Sequence, residues 1–254
     1  MKLTGNTILI TGGGSGIGRA MAQEFHRRGN KVIVAGRRKE NLQAVVNANP
    51  GIEAVELDIQ NQESIAAVVK DVTSRFPKLN VLVNNAGIML IDDLSTKIDD
   101  AQAVAIVTTN LLGPIRLTSE LIEHLKKQDC AVILNVSSGL AFTPLSLSAV
   151  YSATKAAIHS YSMSLRHKLV ETTVHVQEIA PPWVRTELMG SQDAEAAMPL
   201  GDFISETFAA LEKDTPEVLV DRVKAMRNNP GPSEHPFVNQ FNDQMAGLAA
   251  SLAS

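Results

Sequence analysis

Short apolar runs rich in β-branched residues alternate along this chain with stretches of helical spacing, and this alternation constrains the fold more than any other feature. Between the early runs lie stretches such as 18–28 and 62–76, in which apolar residues recur at helical spacing. Runs without polar interruptions are typical of parallel strands that are covered on both faces. The pattern therefore predicts an α/β fold, a doubly wound parallel sheet with helices on both faces. Its strands are predicted at 7–11, 31–35, 54–57, 81–84, 131–136 and 174–180.

Length and composition limit the alternatives. The 254 residues fit a single domain over 1–254, in which we expect 187–215 to form a mobile flap over the site. A net charge of −4 gives no basic surface for nucleic acid. The single cysteine, Cys130, excludes an internal disulfide and is expected to be buried. No apolar run approaches the roughly 18 residues that span a membrane, so we expect no membrane partner and a cytoplasmic protein.

A glycine-rich loop follows the first predicted strand and opens a helix. Glycines let the backbone approach a pyrophosphate closely, and the amides of a helix N-terminus bind phosphate. The spacing is T-G-x-x-x-G-x-G rather than the commoner G-x-G-x-x-G. It predicts nucleotide binding, and the candidate phosphate-binding residues are Gly12, Gly14, Ser15, Gly16, Ile17 and Gly18.

Two arginines end the second predicted strand. In dinucleotide sites, NAD users carry an acidic residue near this point that binds the ribose 2′-hydroxyl. Here Arg37 and Arg38 follow Gly36 instead, and guanidinium groups suit the 2′-phosphate of NADP. We therefore predict NADP as cofactor, with NADPH preferred over NADH and Arg37 as the main phosphate ligand. The alternative is that both arginines are solvated surface charges.

Four residues suggest the chemistry. Tyr151 and Lys155 are four apart, so on a helix they share one face, and Ser138 lies 13 residues before the tyrosine. A nearby ammonium favours phenolate and is expected to lower the tyrosine pKa, which suits Tyr151 as general acid and base. The Ser138 hydroxyl would stabilise charge on a substrate oxygen. With Asn110, these form the predicted catalytic set.

In order and spacing, these motifs resemble the short-chain dehydrogenase/reductase family over about 6–186, within it the oxidoreductase branch named after teichoic-acid D-alanylation. The resemblance implies a Rossmann-type sheet and a nicotinamide cofactor. It also implies that Tyr151 and Lys155 contact the cofactor, the lysine through the nicotinamide ribose. The remaining implied cofactor contacts are Asp58 with its neighbour Ile59, then Asn85, Ala86 and Gly87, and finally Pro181, Val184 and Thr186.

Asn110 lies in a stretch, 101–125, that predicts one long helix. Pro114 follows four residues later, and a helix proline crowds the carbonyl of residue i−4. We expect Pro114 to free the Asn110 carbonyl, which the family uses to hold a water near Lys155. The rival interpretation is a simple helix break.

The predicted function is NADP-dependent interconversion of a ketone or aldehyde and its alcohol, acting on a small-molecule substrate. The alternative is an NADP-binding sensor without turnover. The six histidines show no metal-ligand spacing, so no metal site is expected. Helices that are apolar on several sides, with the interfaces that the resemblance implies, predict a homodimer or homotetramer.

Overall fold

Seven parallel strands form one sheet in the order β3-β2-β1-β4-β5-β6-β7. The computed structural model describes residues 1–229 and 231–252. The predicted doubly wound sheet is confirmed, and the predicted strands lie within one or two residues of their observed bounds. The strands are β1 (Thr7–Thr11), β2 (Lys31–Gly36), β3 (Glu53–Glu56), β4 (Leu79–Asn84), β5 (Ala131–Val136), β6 (Val174–Ile179) and β7 (Glu217–Val218).

Helices cover both faces of the sheet because successive strand residues point to opposite sides. Ile8 and Ile10 of β1 face one apolar core, with α1, α2 and α7, while Leu9 faces the other, with α3 and α5. The helices are α1 (Gly16–Arg27), α2 (Lys39–Ala48), α3 (Gln62–Arg75), α4 (Asp100–Val107), α5 (Gly113–Leu125), α6 (Ala149–Lys168), α7 (Leu200–Leu211), α8 (Asp221–Arg227) and α9 (Glu234–Leu252).

The helical stretch predicted over 101–125 is confirmed, but it is not α-helical throughout. A π-helical turn, Thr108–Leu112, joins α4 to α5. Pro114 follows this turn and lacks the amide that an uninterrupted α-helix would use to bond the Asn110 carbonyl. The sequence shows an uninterrupted helical spacing here, because a π turn adds only one residue to the repeat.

The C-terminal region also differs from expectation. The sequence favours a loop over 228–236, which is rich in proline, and a short helix over 238–248, but α9 begins at Glu234. Pro236 is tolerated because it lies in the first turn of that helix. Pro230, part of the expected loop, lies outside the described residues.

The segment 187–215 has two parts. Its second part contains α7, whose Phe203, Phe208 and Leu211 are buried in the core, and the Phe208 ring lies 4.7 Å from that of Phe25 on α1. Moving α7 would expose this apolar surface, so we confine the expected mobility to 187–199. That mobility stays a prediction.

Cys130 is exposed, and its expected burial is wrong, because it lies in the turn before β5 rather than in the strand. Among the described residues, no helix combines the length and the apolar character that crossing a membrane requires.

Candidate active site

Ser138, Tyr151 and Lys155 lie together at the carboxyl end of β5. Tyr151 and Lys155 are buried one turn apart on α6, and Lys155 Nζ lies 5.5 Å from the centre of the tyrosine ring. The Ser138 hydroxyl lies close enough to the Tyr151 hydroxyl to affect its pKa, and it accepts from the Leu140 amide at 3.1 Å. Lys155 Nζ donates to the Val136 carbonyl at 2.9 Å, which ties α6 to the end of β5.

Burial controls the charges of this cluster. It raises the pKa of Tyr151 to about 12, against the opposing effect of the nearby Ser138 hydroxyl. It lowers the pKa of Lys155 to about 8, against the opposing charge of Glu178. The expected lowering of the tyrosine pKa is therefore wrong, because burial disfavours the charged phenolate. At neutral pH the tyrosine is a neutral phenol beside an ammonium group.

Asn110 is buried in the π-helical turn and holds the segment after β4. Its Nδ2 donates to the Ile88 carbonyl at 2.9 Å and to Thr154 Oγ1 at 3.3 Å, and its Oδ1 accepts from the Ile88 amide. A Cβ placed on Gly87 would lie 3.4 Å from Asn110 Oδ1 and 3.7 Å from Lys155 Nζ. The side chain of Asn110 thus lies beside the cluster, while the role of its carbonyl stays a prediction.

The glycine loop is packed closely against the segment after β4. Gly12 has a φ of +66°, and a Cβ there would lie 2.9 Å from the Ala86 Cα. A Cβ on Gly18 would lie 2.3 Å from the Gly12 carbonyl oxygen. Asn85 Nδ2 donates to the Thr11 carbonyl at 2.9 Å. Two of the candidate glycines are therefore required by the protein's own packing, which the phosphate argument alone did not predict.

The N-terminus of α1 presents amides to an anion. Ser15 precedes the helix but its side chain makes no cap bond to it. The Gly16 amide donates instead to the Glu187 carboxylate at 2.9 Å, and Arg19 pairs with the other carboxylate oxygen at 3.0 Å. The amide of Gly16, one of the predicted phosphate-binding residues, thus already donates to an oxyanion, as a phosphate-binding loop requires.

Arg38 is the arginine that the structure brings to this loop. Its Nη2 donates to Ser15 Oγ at 2.9 Å. Both arginines are exposed, and among the described residues Arg37 makes no such contact with the loop. The sequence favoured Arg37 as the main phosphate ligand. The pattern does not show which way either arginine side chain points after the strand ends, so it could not distinguish Arg37 from Arg38. The contact with the loop shifts that expectation toward Arg38.

Several other predicted cofactor contacts have structural partners. Asp58 Oδ1 accepts from the Gln60 amide at 3.1 Å, and Ile59 is buried against Gly113. The Ala86 amide donates to Thr11 Oγ1 at 3.0 Å. These residues line the carboxyl edge of the sheet, and their contact with a cofactor stays a prediction.

The segment after β6 returns to the same edge. The Pro181 carbonyl accepts from the Gly139 amide at 2.8 Å, next to Ser138. Val184 forms a bridge with Met198 that closes the base of 187–197. Ser191 Oγ donates within this turn, and its hydroxyl lies 3.2 Å from the Thr186 carbonyl. Pro181, Val184 and Thr186 are thereby placed between the catalytic cluster and the glycine loop.

The sequence pattern described as short chain dehydrogenase matches residues 6–197, three quarters of the chain. The chain belongs to the short-chain dehydrogenase family. A curated relative, the uncharacterized oxidoreductase DltE of Bacillus subtilis, is 36% identical over 250 residues, which cover 96% of this chain and 99% of DltE. This relative agrees with the branch that the sequence motifs indicated.

Solved structures resemble this short-chain dehydrogenase over most of its length. A short chain dehydrogenase from Burkholderia cenocepacia, in complex with NADP, is 25% identical with a TM-score of 0.83, covering 94% of this chain and 98% of that chain. A 3-ketoacyl-(acyl-carrier-protein) reductase from Brucella melitensis, complexed with NADH, is 30% identical with a TM-score of 0.76, covering 85% and 93%.

Two acidic residues near the site were missed from the sequence. Glu178 is buried in β6, and its position between Gln177 and Ile179 in a predicted strand was the available signal. Its carboxylate, with His159 and Glu217, forms a group whose ligand atoms lie within 4.8 Å of one another. Histidine spacing did not reveal this group, because its members come from three separate elements. Glu187 gave no signal, since it directly follows Thr186 in an irregular segment.

Proposed function

We propose that this short-chain dehydrogenase interconverts a ketone or aldehyde and its alcohol with NADP as cofactor, and that Tyr151 transfers the proton. The observation that carries the proposal is the placement of the Tyr151 and Ser138 side chains together beside buried Lys155. An acid, a hydroxyl to hold the substrate oxygen and a fixed positive charge are the groups that carbonyl reduction needs.

The protonation states favour reduction at neutral pH. With a pKa of about 12, Tyr151 holds the proton that a developing alkoxide requires. Ser138 donates or accepts a hydrogen bond at the same oxygen and orients it. Lys155, charged below a pKa of about 8, stabilises the phenolate that remains after proton transfer.

The residues at the glycine loop fit a nicotinamide dinucleotide. The Gly16 amide and the Arg19 guanidinium donate to the Glu187 carboxylate, whose charged oxygens are chemically similar to those of a pyrophosphate. Residues of the loop would hold the pyrophosphate, Arg38 and Arg37 the 2′-phosphate, and Lys155 the nicotinamide ribose. When bound, the cofactor supplies the hydride. The family neighbours in complex with NADP and NADH support this assignment.

An apolar substrate is supported by the exposed side chains of Trp183, Leu188 and Met189 near Thr186. Met198, Phe203 and Phe208, which share the flap's apolar composition, belong to the core instead. The substrate preference therefore rests on the first three residues.

We further propose that the protein is a cytoplasmic homo-oligomer. Val104 on α4 and Met163 on α6 are exposed apolar residues, which suits a helical interface with a second copy. Ile106 and Ile158, on the same helices, are buried within the subunit. Light scattering on the eluting protein tests the assembly: a mass of one chain contradicts it.

The experiment that tests the function compares the absorbance loss of NADPH and NADH with one panel of aromatic and aliphatic ketones and aldehydes. We expect turnover with NADPH well above that with NADH. Turnover mainly with NADH contradicts the NADP assignment. Tight binding of NADPH without turnover on any carbonyl would favour the sensor instead.

A further inference from the structure

Glu178 is the one acidic residue that is fully buried in the part of the chain that the structure describes, with 1% of its surface exposed. Removing a carboxylate from water is costly unless charges and hydrogen bonds compensate it. Glu178 lies near the end of β6, opposite Asn135 of β5 in the strand register. A chain retains such a group where its charge or its contacts are needed.

The contacts of Glu178 join the two elements that carry the catalytic cluster. One carboxylate oxygen accepts from Ser137 Oγ, and Ser137 directly precedes Ser138. The other lies 2.8 Å from His159 Nδ1, on α6, one turn after Lys155. The Ser137 amide also donates to the Ile179 carbonyl at 2.9 Å, next to Glu178.

The charges around Glu178 come from every element packed against it. His159 and Lys155 face it from α6, Glu217 from β7 and Arg227 from α8. Glu217 binds Arg227 through both carboxylate oxygens, at 2.7 and 3.0 Å. Glu217 is thus neutralised by its own partner. The carboxylate of Glu178 opposes the lowering of the Lys155 pKa by burial.

We propose that Glu178 is a positioning residue for carbonyl reduction, which clamps Ser137 to His159 so that Ser138 and the Tyr151–Lys155 pair keep a fixed separation, and which supplies the counter-charge of Lys155. The proposal rests on the proposed function of the site. It assigns Glu178 no contact with substrate or cofactor.

Three variants separate the charge from the clamp. Glu178→Gln keeps the size and an acceptor oxygen but removes the charge. Ser137→Ala removes one hydrogen bond of the clamp and leaves the charge. Glu217→Gln, the matched control, removes a neighbouring carboxylate that contacts neither Ser137 nor His159 by a hydrogen bond.

The readout is the pH profile of kcat/KM for NADPH. We expect the alkaline limb of this profile to report the loss of the proton from Lys155. Glu178→Gln moves this limb about one pH unit lower and reduces kcat about tenfold, since one nearby charge shifts a pKa by roughly one to three units. Ser137→Ala lowers kcat without moving the limb. Glu217→Gln leaves the limb in place. An unchanged limb in Glu178→Gln, or an equal shift in Glu217→Gln, overturns the proposal.

A second measurement does not need turnover. In protein labelled with ¹³C at lysine Cε, the Lys155 signal is the one lost in Lys155→Met, and its titration gives the pKa directly. We expect that pKa to be about one unit lower in Glu178→Gln than in the wild type. Equal Lys155 pKa values in Glu178→Gln and the wild type overturn the proposal that Glu178 supplies the counter-charge. If the wild type shows no turnover but the Lys155 pKa is still lower in Glu178→Gln, the proposed function is contradicted and the role of Glu178 as counter-charge is not.

Discussion

The glycine loop and the catalytic cluster lie along the same edge of the sheet but are held in shape by different means. The loop is fixed by backbone contacts, because Gly12 and Gly18 leave no room for a Cβ against Ala86 and the Gly12 carbonyl. The cluster is fixed by side chains, such as Lys155, which reaches the Val136 carbonyl from α6.

This difference separates two kinds of failure. Added atoms in the loop disturb the packing of β1, α1 and the segment after β4, and therefore the fold. Removal of a polar atom from the cluster leaves apolar packing intact and changes only the chemistry. Activity and stability should therefore respond independently to substitutions in the two regions.

The largest expected effect lies in the cluster. Tyr151→Phe removes the proton donor and little volume, so kcat should fall about 1000-fold, within the range for loss of a general acid. The thermal midpoint should change little. NADPH oxidation and a thermal melt measure the two quantities.

Tyr161→Phe is the matched control for that variant. Tyr161 lies on the same helix, and its hydroxyl is close to Thr118 on α5 rather than to Ser138. We expect it to retain turnover. If Tyr151→Phe also retained turnover, Tyr151 would not be the proton donor. The contrast between a cluster that carries the chemistry and a loop that carries the fold would then be wrong.

The next effect lies in the loop and is one of stability. Gly18→Ala would place a Cβ 2.3 Å from the Gly12 carbonyl oxygen and 2.4 Å from Asn85 Nδ2. We expect a loss of about 3 kcal/mol in the free energy of unfolding, typical of an overpacked core. Urea unfolding measures it.

Gly201→Ala tests whether this loss is steric. Gly201 also lies in the first turn of a helix, but a Cβ there meets nothing within 4 Å. Alanine should be neutral or stabilise by up to about 1 kcal/mol, since it has the higher helix propensity. Equal destabilisation by both variants would mean that the loop is not specially constrained.

The same contrast explains what the sequence could predict. Residues 7–18 combine a continuous apolar strand with glycines at fixed spacing, and both features survive in the structure as β1, the loop and α1. Tyr151 and Lys155 were placed on one helix face by their spacing alone. Local patterns of this kind specify an element and the side of it that carries the chemistry.

Other features depend on long-range contacts that no local pattern contains. Glu178 is paired with residues 41 and 19 positions away, and Glu187 meets Gly16 across 171 positions. β7 has only two residues and is too short to show a strand pattern. Phe203 and Phe208 are buried because α7 packs against α1, a contact that no local pattern in 187–215 shows.

A smaller expected effect concerns cofactor choice at the loop. Arg38→Ala should raise the KM for NADPH about 30-fold and leave that for NADH nearly unchanged, because a charged hydrogen bond to phosphate contributes about 2 kcal/mol. Arg37→Ala should have the weaker effect, since only Arg38 reaches Ser15. Equal losses with both cofactors would indicate a folding effect instead of phosphate recognition.

The smallest effect needs no substitution and tests the electrostatics of the cluster directly. Lys155 is charged below its pKa of about 8 and neutral above it, whereas Tyr151 keeps its proton up to about 12. In the direction of reduction, kcat/KM for NADPH should therefore be level at neutral pH and fall about tenfold by pH 9, as the ammonium is lost. A thermal melt at each pH controls for unfolding. Activity that stayed level to pH 10 would show that the phenol alone is sufficient, and that Lys155 serves the cluster by its hydrogen bond to Val136 rather than by its charge.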